Sequence, residues 1–123
     1  MNGFILFAHG SSDPNWSQPI RRISERVAQT LGPRSVSLAF LERQPPSLED
    51  AAAELIDRGA QSITVIPMFL GIGGHLKHDL PRLIDDVRTR WTSVEFRLAS
   101  PIGESEAVVD AMAGYVISQS GTA

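Results

Sequence analysis

The chain reads as an α/β domain: four strand–helix repeats folding into one parallel sheet with helices on both faces. Three observations lead there. Short apolar runs of strand length alternate with amphipathic stretches of helical period along the whole chain. The third apolar run, Ser62–Pro67, is continuous and β-branched, as in a strand buried on both faces. Each run ends in glycine, proline or small polar residues that stop it.

The elements follow in order. Gly3–Ala8 is the first strand, and the loop from Gly10 to Ser17 contains Asp13-Pro14-Asn15. Pro19–Leu31 has Ile20, Ile23, Val27 and Leu31 at helical spacing. Pro19 suits a first turn, Ser17 is the expected cap, and Gly32-Pro33 ends the helix. Ser35–Leu41 alternates Val36, Leu38 and Phe40 as a second strand. After Pro45-Pro46, Ser47 caps a helix whose early acids, Glu49 and Asp50, suit its dipole. That helix runs to about Arg58 and stops at Gly59. Beyond the third strand a Gly-rich loop, Met68 to Leu76, leads to a helix over about Lys77–Arg90. Val94–Ala99 is the fourth strand and Glu104–Ile117 the fourth helix, with a frayed tail from Ser118 to Ala123.

Residues 1–123 make one domain on length alone. Doubly wound sheets suggest the strand order 2-1-3-4. That order makes strands 1 and 3 neighbours and places a topological switch point between them, where such sheets bind ligands at the carboxyl edge. His9 ends strand 1, His75 lies beyond strand 3, and Glu42 follows strand 2. Imidazole can bind a metal or move a proton near neutral pH, and a His-His-carboxylate set with open positions suits Co, Fe, Ni or Zn. The quieter readings are a loop-bonding histidine at 9, a helix-start histidine at 75, and Glu42 paired with Arg43. His78 reads as a solvated helix-end residue. Gly10-Ser11-Ser12 offers N–H and hydroxyl groups to an anion, and Lys77 and Arg82 offer positive charge. Met68, Phe69, Leu70 and Ile72 are too apolar for an ordinary loop and belong to a pocket, an interface or the core. Trp16 lies over the same cleft.

Other classes are excluded by composition. A hydrophobic fraction of 42%, a charged fraction of 20% and a net charge of −3 with interspersed signs show no nucleic-acid face. Without cysteine there is no disulfide framework, Cys-based zinc site or Fe–S cluster. No nucleotide-binding glycine motif and no Gly-x-Ser-x-Gly elbow occurs. Neither a secretory leader nor a spanning segment is legible, which leads to the expectation of a cytoplasmic protein.

Several motifs share one likeness. Phe7-Ala8-His9-Gly10-Ser11, Leu41-Glu42 before Pro45, Pro67-Met68-Phe69-Leu70, Gly74-His75 and Asp79-Leu80-Pro81 resemble the small CbiX-type class II chelatases, the sirohydrochlorin cobaltochelatases and ferrochelatases. The resemblance covers most of the chain. It implies ATP-independent insertion of Co²⁺ or Fe²⁺, in some organisms Ni²⁺, into sirohydrochlorin or a precorrin-2-like precursor. His9 and His75 match the metal-binding, proton-accepting histidines, and Glu42 matches a neighbouring acidic position. Met68, Phe69 and Leu70 would meet the macrocycle face, and Gly10, Ser11, Gly74 and Lys77 its carboxylates. The single domain resembles the short form that works as a homodimer. Histidine phosphatases also place His-Gly after strand 1, but they carry an arginine where this chain has Ala8. A non-catalytic metal or tetrapyrrole carrier would use the same residues, and turnover separates it from a chelatase.

Overall fold

The computed structural model describes residues 1–121. Its elements are β1 Asn2–Ala8, α1 Gln18–Leu31, β2 Val36–Phe40, α2 Leu48–Asp57, β3 Ser62–Pro67, α3 Gly74–Arg90, β4 Glu95–Leu98 and α4 Glu106–Ser118. Short 3₁₀ turns at Pro33–Ser35 and Ile102–Glu104 precede β2 and α4. The sheet is wholly parallel in the order β2-β1-β3-β4. The expected order is therefore the observed one, and the crossing from β2 past β1 to β3 puts a switch point at the carboxyl ends of β1 and β3.

Register sorts the side chains. Phe4, Leu6 and Ala8 lie beside Val36, Leu38 and Phe40, while Ile5 lies beside Val65 and Gly3 beside Ile63. Because side chains alternate along a strand, these sets form two cores. Ile5, Phe7, Ala39, Ile63 and Val65 pack with Leu48, Ala51, Ala52 and Leu55 of α2 and Leu80, Ile84 and Val87 of α3. Leu6, Ala8, Val36 and Phe40 pack under Ile20 of α1. Burying each large aliphatic side chain supplies roughly 1.5–3 kcal/mol, and the α2/α3 side holds most of them. The Arg88 guanidinium ties α3 to β4 by donating to the Phe96 carbonyl at 2.8 Å. Arg90 pairs with Glu49 between α3 and α2.

Three local readings are corrected. Ser17 occupies the N-cap of α1 but its hydroxyl does not cap. Its backbone is already αR, and the buried hydroxyl accepts from Arg21 Nε at 3.2 Å. Ser47, with extended backbone, does cap, accepting from the Asp50 N–H at 3.1 Å. α3 starts at Gly74 rather than near Lys77, so His75 stands in a first helical turn instead of ending a loop. Gly73 in extended conformation serves as its N-cap, without a capping side chain. The expected tail is in part structured: Ser118 closes α4, and the Gln119 and Ser120 N–H groups bond back to Val116 and Ile117. Residues 122 and 123 of that tail lie outside the described residues.

α1 lies on one face and α2 and α3 on the other, while α4 buries no residue and packs mainly on the 3₁₀ turn before it. Among the described residues no helix is long and apolar enough to cross a membrane.

Candidate active site

The site begins with ladder geometry. Beyond the strands proper, β1 and β2 stay hydrogen-bonded: the Leu41 N–H donates to Ala8 at 2.9 Å and the Glu42 N–H to His9 at 3.1 Å. This carries Glu42 alongside His9 at the carboxyl rim. The approach needs a glycine at position 10, where φ is +99° and an added Cβ would lie 1.9 Å from the Glu42 carbonyl oxygen. On the other side of β1, the Met68 N–H donates to Phe7 at 2.8 Å, so the loop after β3 leaves from the same rim.

His9 Nε2 lies 3.1 Å from Glu42 Oε1. Two cis ligands holding one ion at about 2.0–2.1 Å are separated by roughly 2.9–3.4 Å across octahedral and tetrahedral angles. The 3.1 Å separation falls in that range, and it is also that of an ordinary imidazole–carboxylate contact. Both side chains are about half exposed, 53% and 52%, so the pair adds little stability but stays open to an incoming ion. Arg43 Nε is farther from Glu42, at 3.9 Å, so the carboxylate's nearer partner is the imidazole. Arg43 is the one non-glycine residue at positive φ, +72°, among the described residues.

The Phe69 ring stands edge-on to the His9 ring, with centroids 6.4 Å apart and planes at 86°. Phe69 is itself braced: its carbonyl accepts the Gly103 N–H at 3.0 Å. Met68 packs on the α1-side core and Ile72 on the other, while Leu70 is exposed. The greasy loop thus divides between core and surface. Trp16 stands edge-on to Phe40, with centroids 6.4 Å apart.

His75, carried by the first turn of α3, lies on the same rim and is exposed. Of the three expected ligands, His9 and Glu42 converge; no cluster of three His or acidic side chains able to hold an ion occurs among the described residues. His78 and Lys77 are exposed on α3. The Ser11 N–H, read as an anion donor, is given to Gln44 Oε1 at 2.9 Å, and the Ser11 hydroxyl accepts the Asp13 N–H at 3.0 Å. Gln44 thus pins the loop after β1 to the loop after β2. Sequence reading missed it, as it missed the Phe69–Gly103 brace, because a contact between distant loops has no periodic signature.

A wholly parallel four-stranded sheet in the order 2-1-3-4, flanked by helices, is the architecture this chain shares with known chelatases. The family model for CbiX matches residues 3–118. This chain belongs to the CbiX family. It is 31% identical over 114 residues, 88% of either chain, to the sirohydrochlorin cobaltochelatase of Saccharolobus solfataricus. Its fold matches the crystal structure of the CbiX protein from Marinobacter aquaeolei VT8 with a TM-score of 0.88, at 29% identity and full coverage of both chains. It also matches the sirohydrochlorin chelatase SirB of Bacillus subtilis subspecies spizizenii in complex with cobalt, TM-score 0.81 and 27% identity, over 95% of this chain and 50% of that one. This chain therefore spans about half of that protein.

Proposed function

We propose that this protein inserts a divalent metal ion, Co²⁺ or Fe²⁺ and in some settings Ni²⁺, into sirohydrochlorin without a nucleotide, as a cytoplasmic homodimer serving cobalamin or sirohaem synthesis. The observation that carries the reading is the His9–Glu42 pair at ligand spacing on the switch-point rim. The metal is a substrate, and insertion releases two pyrrole N–H protons for each ion taken up. His9 and Glu42 hold the ion through Nε2 and Oε1. As the macrocycle nitrogens replace them, the freed imidazole and carboxylate accept the protons. His75, on the same rim, is assigned the third contact to the ion and a share of the proton transfer. Met68, Phe69 and Leu70 are assigned to the macrocycle face; Gly10, Gly74, the Ser11 hydroxyl and Lys77 to its carboxylate rim.

The groove beside Ala8, Trp16 and Met68 measures about 290 Å³. That is at the low end of small-ligand sites, about 300–1,000 Å³, so a tetrapyrrole needs a second wall. A second copy supplies it.

The test is anaerobic metal insertion followed by absorbance, with Co²⁺, Fe²⁺ and Ni²⁺ in parallel. His9→Ala and His75→Ala should each lower the rate about 10²-fold or more. Wild-type rates in both variants would remove the histidines from the mechanism. Tetrapyrrole binding without any rate above the uncatalysed one would make the protein a carrier.

A further inference from the structure

Beside the His9–Glu42 pair a strained backbone position carries an uncommitted guanidinium. Arg43 follows Glu42 in the loop after β2, at φ +72°. An L-residue there costs conformational energy that glycine would not. The position is fixed from both sides all the same. Before it, the Glu42 N–H donates to His9, and the Glu42 carbonyl oxygen fills the space that a Cβ at Gly10 would need. After it, Gln44 Oε1 accepts the Ser11 N–H at 2.9 Å. Strain of this kind persists only where the surroundings over-determine it, and it concentrates at active sites and ligand clamps.

The side chain has little to do within its own chain. It is 63% exposed, and Nε lies 3.9 Å from Glu42 Oε1, beyond hydrogen-bond reach. Among the described residues no hydrogen bond engages its N–H fork. Two other arginines are differently placed: Arg21 donates to Ser17, and Arg82 shares its cleft with Asp79 and Asp86. The Ser11 N–H is spent on Gln44, so it is not free for an anion.

The sheet order sets where Arg43 stands. β1 lies between β2 and β3, so the loop after β2 and the start of α3 flank His9 on opposite sides. Two strand spacings separate β2 from β3, about 9–10 Å, comparable to the width of a tetrapyrrole ring. A macrocycle over His9 would meet Arg43 at one edge and Lys77 at the other.

We infer that Arg43 is a carboxylate clamp of the tetrapyrrole site, taking one peripheral carboxylate of sirohydrochlorin in a two-point contact. The planar fork of arginine matches a carboxylate in this way, whereas lysine offers only a point charge. The pinned, strained backbone holds the fork in place before the substrate arrives, which lowers the ordering cost of the contact. A substrate carboxylate also draws the guanidinium from Glu42, leaving that carboxylate to His9 and the ion. The inference rests on the chelatase reading for the identity of the ligand and adds a directional anchor on the β2 side.

The test is binding of metal-free sirohydrochlorin under anaerobic conditions at graded salt, read by quenching of Trp16 and Trp91, the chain's two tryptophans. Arg43→Ala should weaken binding about tenfold and flatten its salt dependence. Arg43→Lys should restore the salt dependence but only part of the affinity. Arg43→Gly suits the positive φ, so it should lose as much affinity as Arg43→Ala while melting no earlier than that variant, which separates the lost contact from misfolding. In turnover, KM should rise by more than kcat falls, and affinity for Co²⁺ alone should not drop. Intact affinity in Arg43→Ala, or full affinity in Arg43→Lys, would overturn the clamp. So would a tenfold loss of Co²⁺ affinity with tetrapyrrole binding intact, since Arg43 would then be a positioning residue for Glu42. An intact protein that binds no sirohydrochlorin would overturn both the clamp and the chelatase reading; Arg43-dependent binding without turnover would overturn the chelatase reading alone.

Discussion

Replacing Gly10 by alanine separates the site's geometry from its chemistry. The added Cβ would meet the Glu42 carbonyl oxygen at 1.9 Å, where real contacts do not fall below 3.0 Å, so the two loops must part by at least about 1.1 Å. The Glu42 N–H to His9 bond, 3.1 Å long, does not survive that shift. Three costs add: about 1–2 kcal/mol for an L-residue at φ +99°, about 1 kcal/mol for the lost bond, and about 1–3 kcal/mol for overpacking. The total is roughly 3–6 kcal/mol. For a chain of 123 residues each kcal/mol lowers Tm by about 4 °C, so Gly10→Ala should melt roughly 12–24 °C early.

Gly32 provides the control. It has nearly the same φ, +97°, but no atom within 4 Å of an added Cβ. Gly32→Ala therefore carries the backbone cost alone, about 1–2 kcal/mol or roughly 4–8 °C. Calorimetry reads the two melting points, and titration of Co²⁺ reads the site. Gly10→Ala should lose at least about tenfold in affinity and Gly32→Ala nothing. Equal melting points in the two variants would refute the claim that steric closure at Gly10 places Glu42 beside His9.

Two further outcomes follow from the same reasoning. Glu42→Gln keeps shape but removes the charge, and should weaken Co²⁺ binding by about tenfold, measured by titration, while Tm moves by no more than about 4 °C, since exposed pairs contribute about 0–1 kcal/mol. Ser47→Ala should cost about 1 kcal/mol in chemical denaturation through loss of the α2 cap, and Ser17→Ala less, because that hydroxyl caps nothing.

The sheet was legible because its strands are short apolar runs with two covered faces; β3 was read to its end residues. Helix starts were legible where a side chain caps, as at Ser47. They were not where glycine caps: Gly71, Gly73 and Gly74 read as loop, yet Gly73 opens α3 and puts His75 on a helix. At Ser17 residue type pointed to a cap, but the backbone had already turned αR. The rim placement of His9, Glu42 and His75 followed from strand order alone. Which of them touch did not, because that depends on the ladder continuing past β2 and on the absence of a side chain at Gly10. The apolar pattern of α4 announced a helix but not that the helix would bury no residue.

The brace at Gly103 joins the rim beside His9 to the base of α4. Its N–H holds Phe69, whose ring edge stands against His9, and its turn launches α4. A site that must release its ion gains from being open, with few ligands and half-exposed side chains, but openness removes the packing that would otherwise orient His9. Phe69 supplies orientation from one side and the turn before α4 holds Phe69. Gly103→Ala forces a Cβ to within 2.0 Å of the Leu70 carbonyl oxygen, so either the Phe69–Leu70 segment or the base of α4 must move. Because the two are bonded, both should move together: the variant is expected to lose thermal stability by calorimetry and metal insertion by absorbance in parallel. A variant that melts with the wild type and inserts metal at the wild-type rate would show that the turn positions neither the ring nor the helix.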